Sequence, residues 1–102
     1  MLNKNDILNF IGQNYSYLQR HFHIQKIGIF GSFAKNEQTE LSDIDLIIEL
    51  EDNTPDIYEL KMELREFFGG QFNRKIDIAS EKYLKSYVKA DIMKETIYFE
   101  QK

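Results

Sequence analysis

Two aspartates separated by one residue, Asp43 and Asp45, lead into the apolar run Leu46-Ile47-Ile48. On an extended strand, residues two apart share a face, so both carboxylates point the same way. Like charges placed side by side repel, and no hydrophobic core needs them there. A divalent cation relieves that repulsion, and Mg2+ commonly takes one or two carboxylates plus substrate phosphates. Upstream of the pair, with ten residues between, stands Gly31-Ser32. Glycine lets the backbone approach an anion closely, and the amides that follow, with the Ser32 hydroxyl, can grip phosphate oxygens at a helix start. A third acid, Asp77, sits between two isoleucines in Lys75-Ile76-Asp77-Ile78. Singly these features are a turn pair, acids at a strand start and a surface acid. In conjunction they describe a site for a metal-bound nucleotide.

These residues need a sheet to present them. Residues 24–30 alternate well enough for a strand that breaks at Gly31, and Phe33 to Asn36 suit one or two helical turns. A polar loop from Glu37 to Leu41 leads to Ser42, whose hydroxyl can either orient the neighbouring carboxylate or serve a turn. Residues 43–50 form the second strand, with Ile44, Leu46 and Ile48 on one face and Asp43, Asp45 and Ile47 on the other. Lys75 to Ala79 form a third strand with Asp77 opposite its isoleucines. Around them, Asn3 or Asn5 caps a first helix to about Arg20, striped by Ile7, Ile11, Tyr15 and Leu18. Thr54-Pro55 opens another helix, which Gly69-Gly70 ends. Glu81 to Lys94 give one or two short helices, and Ile97-Tyr98-Phe99 a short edge strand. The fold class expected is α+β (α/β-like): a small mixed β-sheet with helices packed on one face.

At 102 residues the chain is expected to be a single domain spanning 1–102. Hydrophobic residues make up 42%, including eight Phe and six Tyr, enough for a real core. With no cysteine there is no disulfide, thiol catalysis or Cys-based zinc site, and a cytoplasmic location is expected. No signal peptide or membrane span is legible. A net charge of −4 speaks against a broad nucleic-acid surface, because phosphate backbones need a basic face. His21 and His23, two apart, have no third ligand near in sequence and read as a solvated pair.

Gly31-Ser32, the ten-residue gap, Asp43-x-Asp45 and the strand after it resemble the signature of the DNA polymerase beta-like nucleotidyltransferase superfamily. Within it the chain is similar to the minimal nucleotidyltransferase (MNT) antitoxins of HEPN/MNT toxin–antitoxin systems. The resemblance covers roughly the whole chain, and Asp77 takes the place of the family's third carboxylate. It implies a polymerase beta-like fold and an enzyme, a protein adenylyltransferase that moves AMP from ATP onto a hydroxyl, a tyrosine's, of a partner HEPN toxin. Asp43, Asp45 and Asp77 are then the catalytic and metal-binding residues, for two Mg2+ ions. Gly31, Ser32, Lys35 and Ser42 are the candidate nucleotide-binding residues. Where the family pattern has Arg-Gly, this chain has Lys35-Asn36, which keeps the charge but not the planar two-pronged donor. Two other functions stay open: an antitoxin that only masks its partner, and a nucleotidyltransferase for a small-molecule acceptor. The intact carboxylate triad favours catalysis over masking.

Overall fold

The computed structural model describes residues 1–100. Helices α1 (Lys4–Gln13) and α2 (Tyr15–Phe22) lead into strand β1 (Ile24–Phe30), which runs directly into the short helix α3 (Gly31–Ala34). Strand β2 (Ile44–Leu50), helix α4 (Ile57–Phe72) and strand β3 (Ile76–Ser80) follow. A 3-10 turn at Glu81–Tyr83, helix α5 (Ser86–Glu95) and the two-residue strand β4 (Ile97–Tyr98) complete the described chain. The sheet order is β3-β2-β1-β4. β1 is antiparallel to both β2 and β4, while β2 and β3 are parallel. This is the expected α+β fold with a mixed sheet.

Alternation decides which side of the sheet is dry. Ile44, Leu46 and Ile48 of β2 and Ile27 and Ile29 of β1 are buried on one face. Against them pack Ile7 and Ile11 of α1, Leu18 and Phe22 of α2, and Leu64 and Phe68 of α4. Each such side chain contributes about 1.5–3 kcal/mol by leaving water. Phe10 adds an aromatic cluster, with ring centroids 5.2–5.4 Å from those of Phe67, Phe68 and Phe72. No helix among the described residues is long and apolar enough to cross a membrane.

Three boundaries differ from those expected, each for a local reason, and one open alternative is resolved. The first helix is two, broken at Asn14, whose side-chain amide donates to the Phe10 carbonyl at 2.8 Å and so competes with the backbone ladder. Of the two candidate caps of α1, Asn3 is the one used, in a reciprocal pair with Asp6. Thr54 does not cap α4, because its hydroxyl donates to the Glu51 carbonyl at 2.6 Å, and the helix starts at Ile57. Gly69-Gly70 lies inside α4, which continues to Phe72 and ends on left-handed Asn73 (φ 54°). Two glycines cost about 1 kcal/mol each in a helix, and the packing of Phe72 on Phe10 offsets that.

The face opposite the core is not bare throughout. Tyr98, Gly28, Ile47 and Ala79 form one row across the strands. Ile47 is completely buried there, apart from the main core cluster. Met93 of α5 touches the Tyr98 hydroxyl at 3.1 Å, so α5 covers this end of the face. The next row toward the start of β2 is Phe30, Asp45 and Asp77, of which Phe30 and Asp45 are half-buried and Asp77 is exposed.

Candidate active site

Register brings the sequence-distant pieces together. Phe30, the last residue of β1, pairs with Asp45, so the Gly31-Ser32 turn begins beside the Asp-x-Asp strand. The parallel pairing of β2 with β3 sets Asp77 next to Asp45. Asp43 precedes β2 and is half-buried, with its side chain 42% exposed, and Asp77 is exposed. The three carboxylates therefore gather at one end of the sheet, where β2 begins. A cavity of about 190 Å³ lies elsewhere, among Ile48, Leu50, Ile57 and Tyr83 at the far end of β2.

Asp45 carries the electrostatic strain of the group. Burial pushes its carboxyl up from 3.8 to about 6, and Asp77, Asp43 and Glu95 add negative charge around it. Asp43 has a partial counter-charge, with Lys75 Nζ 3.9 Å from its Oδ2. Among the described residues, no group of three or more His, Cys, Asp or Glu side chains gathers closely enough to hold a metal ion by itself. The donor set at the site is purely carboxylate oxygen, the chemistry of hard cations that complete their shell with water or phosphate. His21 pairs with Glu63 of α4, and His23 ends α2 in a left-handed turn, so both serve the fold.

Gly31 is the hinge of the arrangement. Its φ of +71° is left-handed, and a Cβ built there would overlap Asp45 Oδ2. Only glycine allows the chain to turn this close to the carboxylate. Its N–H donates to Glu95 Oε1 at 3.1 Å, and Lys35 Nζ lies 3.6 Å from Glu95 Oε2. Ser32 follows in the first turn of α3, and Phe33 plugs that helix into the core. Ser42 lies one residue before Asp43, but its hydroxyl accepts the Thr39 N–H at 2.8 Å and so closes a turn.

Two residues of this neighbourhood escaped the sequence reading. Glu95 is one, brought in from the end of α5. Arg74 is the other: its guanidinium donates to the Thr39 and Ser42 carbonyls, both at 2.9 Å, and lies over the Phe33 ring at 5.4 Å. It thereby ties the loop before β2, the helix after β1 and the start of β3 into one unit. Both bonds come from the one nitrogen Nη1, whose two N–H groups each reach a carbonyl. Nothing local in Asn73-Arg74-Lys75 marks either contact.

The sequence profile of the nucleotidyltransferase domain family matches residues 9–99. The Methanocaldococcus jannaschii protein MJ0128, to which a protein adenylyltransferase role is ascribed, is 33% identical over 94 residues, 91% of this chain and 94% of its own length. A solved structure described as a minimal nucleotidyltransferase superposes with a TM-score of 0.75 at 23% identity, covering 94% of this chain and 95% of that chain. A chain from a toxin–antitoxin complex with AMP-PNP gives 0.69 at 20% identity, covering 99% and 75%. A chain from a complex of tri-AMPylated Shewanella oneidensis HEPN toxin with its MNT antitoxin gives 0.62 at 15% identity, covering 93% and 73%. The structural likenesses speak for the fold, and the profile and the archaeal relative for descent. With the match running through both the Gly31-Ser32 turn and all three aspartates, the chain belongs to the nucleotidyltransferase domain family.

Proposed function

We propose that this protein transfers AMP from ATP to a hydroxyl, a tyrosine's, of a HEPN-type toxin and silences it, acting as its antitoxin. The observation that carries the proposal is the row formed by Asp45 and Asp77 across β2 and β3, with Asp43 before it and the Gly31 turn beside it. Support for the partner and the nucleotide comes from structural neighbours described as HEPN toxin–MNT antitoxin and AMP-PNP complexes.

In this scheme the Gly31 and Ser32 amides, the Ser32 hydroxyl and Lys35 hold the phosphate chain, while Ser42 keeps the loop before Asp43 in shape. The attacking hydroxyl oxygen bonds to the α-phosphorus as the bond to the bridging β-phosphate oxygen breaks, and pyrophosphate leaves. Asp77 accepts the hydroxyl proton. Mg2+ fits the site: Asp43, Asp45 and Asp77 would hold it, and ATP phosphates would supply the oxygens that a lone carboxylate row lacks. Bound there, such ions neutralise charge developing on the attacking and leaving oxygens. The residues themselves orient the nucleotide and leave the acceptor's side of the sheet open.

A melting experiment tests the nucleotide half. ATP with Mg2+ should raise the midpoint by several degrees, since a ligand that binds only the folded state stabilises it by mass action. Asp43→Asn combined with Asp45→Asn should erase that rise. An undiminished rise in the double variant would place the nucleotide elsewhere.

A further inference from the structure

The carboxylate of Glu95 stands on groups that the scheme above assigns to the triphosphate. One oxygen accepts the Gly31 N–H at 3.1 Å, and the other lies 3.6 Å from the Lys35 ammonium. A carboxylate on an amide donor beside an ammonium makes the same charge-assisted contacts as a phosphate oxygen. The side chain is only 27% exposed, so this is not a loose surface pair. The backbone behind it is fixed. Thr96 donates its hydroxyl to the Ile92 carbonyl at 2.7 Å, and Tyr98 pairs with Gly28 and donates to Glu81 at 3.1 Å. Clearing the turn therefore needs only a rotation of the Glu95 side chain. Core packing gives no reason for an acid here, since Glu95 adds a fourth carboxylate to a neighbourhood already holding Asp43, Asp45 and Asp77.

We propose that Glu95 is a built-in competitor for the nucleotide: in the free protein it occupies the Gly31 amide and screens Lys35, and a metal-bound triphosphate must displace it to bind. The proposal rests on the Gly31 turn being the phosphate cradle. It gives the turn a partner while no nucleotide is present, and it makes entry depend on a ligand that brings its own cations. ATP without them meets four carboxylates.

Calorimetric titration of ATP with Mg2+ into the wild type, Glu95→Gln and Glu95→Ala decides the matter. Glutamine keeps the acceptor and loses the charge, whereas alanine loses both. Binding should tighten by about threefold in Glu95→Gln and about tenfold in Glu95→Ala, the scale of one released charge-assisted hydrogen bond. In a Lys35→Ala background the gain should shrink, because part of what Glu95 screens is gone. If Glu95→Ala does not fold, the near-isosteric Glu95→Gln carries the test with its own threefold criterion. Unchanged or weaker binding in the variants, with the wild type binding normally, would overturn the competitor role; weaker binding would make Glu95 a contributor to the site. A wild type that binds no ATP would instead overturn the cradle, and the competitor with it.

Discussion

Asp77→Asn should slow AMP transfer by about 10²–10⁴-fold, the usual cost of losing a positioned proton acceptor, and leave the fold intact. Asp77 is exposed on the open face of β3 and supports no core contact, so an isosteric amide there costs little stability. Ile76 before it is buried and unchanged, which keeps the strand in register with Ile44. The amide can neither accept the proton from the attacking hydroxyl nor add a negative ligand for a cation. Docking of the acceptor protein should survive, because only one charge on the rim of the site has changed. Single-turnover transfer measured alongside co-purification of the partner separates the two effects. A variant that still silences the toxin at wild-type strength and normal expression would favour masking over transfer.

Asp45→Asn should also abolish transfer, yet make the free protein more stable. Burial and the charges of Asp77, Asp43 and Glu95 raise the Asp45 carboxyl to about 6 in the folded chain, against 3.8 for an ordinary aspartate. The folded state therefore binds this proton more tightly than the unfolded state. Asp45 costs nothing below about pH 4, and its penalty grows as pH rises through about 6. Asparagine removes the penalty, so the two proteins should melt together near pH 4 and diverge above it. At pH 7.5 the variant should lead by on the order of 1 kcal/mol, a modest figure because solvent reaches the carboxyl and screens the repulsion. Melts at pH 4.5 and 7.5 without divalent ions check this. A variant less stable than wild type at pH 7.5 would mean that Asp45 already has a compensating partner.

Much of this candidate site is legible in the sequence because its determinants are local. The two-residue period of Ile44, Leu46 and Ile48 puts Asp43 and Asp45 on the other face whatever the rest of the chain does. Ile76 and Ile78 act likewise on Asp77. Gly31 marks the break at the end of the first strand, but its left-handed φ is not legible there, since His23 and Asn73 adopt the same region without being glycine. The geometry of Glu95 and Arg74 was hidden for the converse reason. Both sit in charged helical or loop sequence that solvates equally well, and only the path of α5 and the return of α4 into β3 decide what they touch. The ends of α4 show a third case. Thr54 and Gly69-Gly70 carry correct local signals, but a turn hydrogen bond to Glu51 and the aromatic contacts of Phe72 outweigh them. The two-residue period sets Ile47 on the face of the aspartates, yet its complete burial there is not legible in the sequence, because alternation assigns a face and not what covers it.

The proposed transfer of AMP to a protein hydroxyl is tested most directly by the intact mass of the acceptor. The protein should be mixed with a co-encoded HEPN-type partner, ATP and Mg2+, and the partner's mass followed with time. A gain of one or more AMP units on the partner is expected, located on tyrosine by fragmentation, and absent with Asp77→Asn. A partner of unchanged mass, with the adenylyl label recovered on a small molecule, would contradict it.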